Sequence, residues 1–84
     1  MTMKRVSAIW CSSCLIMKSR VREIIEEGSY DIEIEELDYD CGEADELLNS
    51  HGIPGDILPV YIREDGKYSI GEKSKKEFIA FIEE

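Results

Sequence analysis

Residues 6–14 read Val6-Ser7-Ala8-Ile9-Trp10-Cys11-Ser12-Ser13-Cys14. A short uncharged and mostly apolar run leads into two cysteines three positions apart, and a helical pattern starts there. Val6 to Ile9 reads as a central strand, buried on both faces. After it, Cys14, Met17, Val21, Ile24 and Ile25 recur at helical spacing, with Leu15 and Ile16 widening the apolar arc near its start. Lys18, Arg20, Arg22, Glu23, Glu26 and Glu27 lie mostly opposite, and Gly28 is the expected stop. A Cys-x-x-Cys pair at the junction of strand and helix is a redox motif with a physical basis. The first turn of a helix exposes unpaired N–H groups and the positive end of the macrodipole, both of which favour a thiolate. A second cysteine one turn on closes a disulfide without moving the backbone. Cys14 falls in phase with the buried stripe, whereas Cys11 sits at the open tip. Cys11 is therefore the expected attacking thiol and Cys14 the shielded resolving thiol.

The rest of the chain supplies a scaffold. Tyr30 to Leu37 alternates Tyr30, Ile32 and Ile34 with Asp31, Glu33 and Glu35, which predicts a half-buried edge strand. The parity slips at Glu36, where a bulge or the strand's end is expected. Asp40 with Glu43 three residues on predicts a capped helix through Ala44, Leu47 and Leu48, stopping near Gly52. Ile53-Pro54-Gly55-Asp56 reads as a turn, and Ile57 to Ile62 as a third strand in which Pro59 is tolerated only near the start. Asp65-Gly66 predicts a hairpin into Lys67–Ile70. Ser74 with Glu77 makes a capping box for a last helix whose apolar side is Phe78, Ile79 and Ile82, with Phe81 beside it. Lysines at its start and Glu83 and Glu84 at its end oppose the dipole, so its last turn is expected to fray.

The element order is strand, helix, strand, helix, strand, strand, helix. The first two strands are expected to be parallel, joined by a right-handed crossover, and the last two antiparallel. With 84 residues the chain makes one domain, residues 1–84, with a modest core. Hydrophobic residues make up 43% and charged residues 35%, an ordinary globular mixture. A net charge of −9 argues against a nucleic-acid surface or an anionic membrane as partner. The apolar run near the N-terminus is too short for a secretory h-region or a membrane span, and the expected compartment is the cytoplasm. Three cysteines are an odd number for a disulfide-stapled secreted domain. In a reducing compartment a close pair is catalytic or metal-binding.

Taken together, Trp10-Cys11-Ser12-Ser13-Cys14 after a strand, a lone proline opening the third strand, and Gly71 before Ser74-Lys75-Lys76-Glu77-Phe78 resemble the thioredoxin superfamily. The resemblance covers nearly the whole chain, at the length of a minimal, glutaredoxin-like member. It implies an α/β fold with a mixed four-stranded sheet in the order 2-1-3-4 (βαβαββα) flanked by three helices. It also implies that Pro59 follows a cis peptide bond beside the cysteine pair. The sequence departs from the family in three places. The two residues between the cysteines are Ser12 and Ser13, unlike the Gly-Pro typical of thioredoxins or the Pro-Tyr typical of glutaredoxins. Arg5 stands near the position where thioredoxins carry a buried acid, and Gly71-Glu72 stands where glutaredoxins carry a glycine pair.

The implied activity is thiol–disulfide exchange on protein disulfides, with Cys11 as nucleophile, Cys14 as resolving thiol, and no cofactor. Trp10, Ser12, Ser13, Leu58 and Pro59 are the expected substrate-contacting residues. The electron donor is a reductase or glutathione, and the protein acts as a monomer. Two other readings are a glutathione-dependent, glutaredoxin-like reductase and a redox-inert or metal-binding interaction module. Cys11, Cys14, Cys41 and His51 are the only nominal ligand set for the latter, and their spacing matches no common zinc pattern, so no metal is expected.

Overall fold

A computed structural model describes all 84 residues. Strands β1 (Thr2–Ser7), β2 (Glu33–Asp38), β3 (Val60–Arg63) and β4 (Tyr68–Ile70) form one sheet in the order β2-β1-β3-β4. Helices α1 (Ser12–Gly28), α2 (Gly42–Ser50) and α3 (Lys75–Glu83) complete the chain. β1 and β2 are parallel, while β1–β3 and β3–β4 are antiparallel. Parallel neighbours need a long connection, and α1 supplies it. No helix is long and apolar enough to cross a membrane.

Each face of the sheet carries its own core. On one face Met3 and Tyr61 pack against Met17, Val21 and Ile24 of α1 and Phe78 and Ile82 of α3. Tyr61 and Phe78 meet edge to face with centroids 4.9 Å apart, and neither ring is exposed. On the other face Val6, Leu37, Val60 and Ile62 pack against Ala44 and Leu48 of α2. Ala8, Cys14 and Leu58 belong to that second cluster, which places the cysteine motif against the α2-side core just beyond the end of β1.

Several local expectations are corrected. The first strand begins earlier and ends at Ser7, so Ile9 lies beyond the sheet and is 90% exposed. Leu15 and Ile16 are exposed rather than part of the buried arc, because at about 100° per residue they fall on the far side of the helix from the Cys14, Met17, Val21 and Ile24 stripe. The helix runs through Gly28, and Ser29 takes the left-handed capping conformation with φ 51°. β2 starts at Glu33 and continues in register through Arg5↔Glu36 and Val6↔Leu37, so the parity slip is no bulge. Glu36 stays on the Ile34 face and meets Arg5 there, while Leu37 is buried on the opposite face beneath α2. Cys41, not Asp40, is the N-cap of α2, and it makes no side-chain capping bond. The backbone N–H of Asp40 instead donates to Asp38 Oδ1 at 3.0 Å. The capping box at Ser74 is formed in both directions. The far end of α3 is held despite its acids: Arg63 donates to the carbonyls of Phe81 at 2.7 Å and Glu84 at 3.2 Å.

Candidate active site

Cys11 is the N-cap of α1, with extended backbone at φ −95° and ψ 110°. Its amide donates to the carbonyl of Ala8 at 3.2 Å, which folds the chain back at the end of the strand segment. Its Sγ accepts the N–H of Cys14 at 3.2 Å, so sulfur occupies the position where a serine or aspartate oxygen ordinarily caps a helix. One N–H of the first turn, that of Cys14, is thus spent on this sulfur. The Cys11 thiol also lies 4.0 Å from the carbonyl of Leu58, at the outer reach of a thiol hydrogen bond. Cys11 is half-buried and Cys14 is 4% exposed, and both are free thiols. Burial pushes the Cys14 thiol up to about 11, and its contact with Cys11 adds to the rise. The Ala8 backbone and the charge of Arg5 work the other way.

The other sequence-selected residues surround this pair unequally. Trp10 is 66% exposed and leans edge-on against Tyr39, with ring centroids 6.0 Å apart. Ser12 is exposed and Ser13 half-buried in the first turn of α1. Leu58 and Pro59 are buried, and the peptide bond between them is cis. The carbonyl of Pro59 accepts from Gly71 N–H at 2.9 Å, which brings the start of the final segment beside the motif. Gly71 has φ 82°, a conformation that favours glycine, and a Cβ there would sit 3.2 Å from Cγ2 of the exposed Ile57 side chain, a tight contact. Cys41 heads α2 and packs on the apolar cluster that contains Cys14, whereas His51 caps the opposite end of the same helix. No group of three or more His, Cys, Asp or Glu side chains is placed to hold a metal ion.

Sequence reasoning missed one constellation beside Cys14. Arg5 is 6% exposed in the middle of β1. It reaches Glu36 Oε2 at 3.1 Å and Tyr61 Oη at 3.4 Å, and its guanidinium lies 5.8 Å from the Tyr61 ring centroid. Its buried Nε has no partner. Burial works against the Arg5 charge, but Tyr61 and Glu36 outweigh it, so the group is held above its ordinary value. Glu36 also accepts from Ser7 Oγ at 2.9 Å and lies 3.7 Å from Lys18 Nζ. Burial pushes the Glu36 carboxyl up, but Ser7, Arg5 and Lys18 together hold it below the usual carboxylate range. A cleft of about 300 Å³ is lined by Cys14, Ser7, Lys18, Glu36 and Asp38, with Ile9 and Leu15 at its apolar side. The signal in the sequence was the parity slip itself, which puts Glu36 on the same face as Arg5; the buried member is Arg5, and a buried cation needs an acid beside it.

No protein-family model matches the sequence, and no curated protein does. Among solved structures the chain is similar to thioredoxin-2 of the malaria parasite, described as a component of the parasite's protein secretion machinery. The likeness covers 98% of this chain and 80% of that one, with a TM-score of 0.63 and 18% sequence identity. The fold is thioredoxin-like.

Proposed function

We propose that this protein is a thiol–disulfide oxidoreductase acting on protein disulfides through Cys11 and Cys14. The observation that carries the reading is the placement of Cys11 Sγ at the tip of α1, on a half-buried residue and receiving the Cys14 N–H at 3.2 Å, with Cys14 more deeply buried. The Cys11 thiolate attacks one sulfur of a substrate disulfide. A Cys11–substrate mixed disulfide forms, and the other substrate sulfur departs as a thiolate. Cys14 then loses its proton and attacks Cys11 Sγ. The Cys11–Cys14 bond forms as the Cys11–substrate bond breaks, so the substrate leaves reduced and the protein oxidised. Two electrons from a reductase or from glutathione return the pair to dithiols, and no other cofactor enters.

The exposed indole of Trp10, the first-turn serines Ser12 and Ser13, and the Leu58–Pro59 segment form the surface that meets the substrate. An extended substrate chain pairs with the backbone at Leu58, whose carbonyl already lies near Cys11. The protein works as a cytoplasmic monomer. Insulin reduction driven by dithiothreitol tests the reading: the wild-type chain accelerates it, and Cys11→Ser does not. A parallel glutathione-coupled assay identifies the donor. A Cys11→Ser protein with undiminished activity overturns the assignment.

A further inference from the structure

β1 and β2 run parallel and side by side, and the chain leaves their ends toward opposite faces of the sheet. From β1 it turns into α1, whose body packs with α3 on one face, and from β2 it turns into α2 on the other. Adjacent parallel strands whose connections part in this way leave a crevice beyond their carboxyl ends, the place where open α/β sheets bind ligands. The cleft beside Cys14 is that crevice: Ser7 and Asp38, the last register pair of the β1–β2 ladder, both line it. Two of its other lining residues are bonded to Cys11. The carbonyl of Ala8 accepts the Cys11 N–H at 3.2 Å, and Cys14 donates its N–H to Cys11 Sγ at 3.2 Å. Leu58 leads into β3 on one side of β1, and the cleft opens on the other side, toward β2, so the two flank the motif.

The chemistry of the cleft is uneven. Its apolar wall is Ile9, 90% exposed, and Leu15, 62% exposed, which nothing in the fold covers. Its charged residues are Lys18, Glu36 and Asp38. Glu36 is matched twice, by Arg5 at 3.1 Å and by Lys18 at 3.7 Å. Asp38 has no cation: its carboxylate accepts the Asp40 N–H, a neutral donor, at 3.0 Å. An apolar side chain entering here desolvates the Asp38 carboxylate without pairing it, and an acidic one meets two carboxylates. A lysine or arginine suits both parts, with an aliphatic stem for Ile9 and Leu15 and a cationic head for Asp38. The net charge of −9 draws the same kind of segment from a distance.

We propose that this cleft selects the substrate: it seats a lysine or arginine side chain flanking the substrate's reacting cysteine, with Asp38 as the specificity-determining residue and Ile9 and Leu15 as the wall that takes the stem. The inference rests on the redox reading above and narrows its substrates to disulfides set in basic segments. The bonds made and broken are those already described.

The test uses three cysteine peptides, each joined to a second copy of itself by a disulfide. They are identical except that the residues flanking the cysteine are lysine, norleucine or glutamate. Reduced protein in a Cys41→Ser background is mixed with excess peptide disulfide near neutral pH at low ionic strength. Samples are quenched with acid, and oxidised protein is quantified by chromatography. The quantity read is the ratio of the lysine rate to the norleucine rate, compared between proteins so that each peptide's own reactivity cancels. Asp38→Asn keeps an acceptor for the Asp40 N–H on an exposed residue, so the fold is retained. It is expected to lower the ratio about two- to fivefold, the range of one partly exposed ion pair. Glu64→Gln removes the same charge from the exposed turn after β3, at the opposite end of the sheet, and is expected to leave the ratio unchanged. A ratio unmoved by Asp38→Asn, or lowered as much by Glu64→Gln, overturns the proposal and leaves the redox reading intact. So does a glutamate peptide that reacts fastest, which would make Lys18 the selecting group. No oxidation of the protein by any of the peptides removes the redox reading, and this proposal with it.

Discussion

At Cys11 a sulfur does what an oxygen does at Ser74. Each side chain accepts, at 3.2 Å, the N–H three residues on: Cys14 N–H in one case and Glu77 N–H in the other. The site is thereby a helix cap and a nucleophile at once, and the two roles are separable. Cys11→Ser keeps an acceptor at the cap, so its thermal stability is expected to stay near that of the reduced wild type while exchange activity is lost. Cys11→Ala removes the acceptor as well and is expected to cost about 1 kcal/mol more. Thermal melts of the three reduced proteins check this. Equal stability of the serine and alanine variants would show that the sulfur caps nothing. Cys14 gives a second residue-level prediction. Its thiol is raised in the folded state by burial and by Cys11, so the fold favours the protonated form. The stability this contributes is present in full below the ordinary thiol range and is lost as pH rises toward 11. Denaturant titrations of the reduced protein between about pH 8 and 11 are expected to show a decline that is shallower in Cys14→Ser. Identical slopes in the two proteins contradict it.

Elements were legible in the sequence wherever local chemistry alone decides them. The Ser74–Glu77 capping box, the Asp65-Gly66 hairpin and the α1 stripe of Cys14, Met17, Val21 and Ile24 all stand as read. Ser74→Ala is expected to cost about 1 kcal/mol, seen as a fall of about 4–8 °C in Tm for a domain of this size. An unchanged melt would mean that α3 is fixed by Phe78 and Ile82 packing alone. The features that were not legible depend on partners distant in sequence. The last turn of α3 carries Glu83 and Glu84 against its dipole, but Arg63, eighteen residues before Phe81, ties down its carbonyls. Glu36 broke the alternation of β2 because its partner is Arg5, thirty-one residues earlier. A strand pattern shows that an acid is on the wrong face but not which cation receives it. Asp40 looked like the better cap for α2, yet the Asp38 side chain takes its amide and moves the helix start to Cys41. At the site, the deeper burial of Cys14 followed from helical phase, but Cys11, expected to be exposed, is half-buried against the same cluster, and the cleft beside Cys14 requires β2 to lie next to β1 and could not be read from either strand.

The whole molecule has two cores, one on each face of a four-stranded sheet, and the cysteine pair packs on one of them. α1 contributes to both. Its body packs with α3 on one face, and its first turn carries Cys14 into the cluster shared with α2. The fold thus buries one thiol more deeply than the other, and the proposed order of attack follows from that asymmetry. The most direct test is to trap the first intermediate. Cys14→Ser protein, also carrying Cys41→Ser, is mixed with insulin, and the covalent adduct is mapped by mass spectrometry after proteolysis under non-reducing conditions. The account predicts a persistent mixed disulfide joining Cys11 to an insulin cysteine, and no adduct when Cys11 is the residue replaced and Cys14 is kept. An adduct formed equally well through Cys14, or none through Cys11, would contradict it.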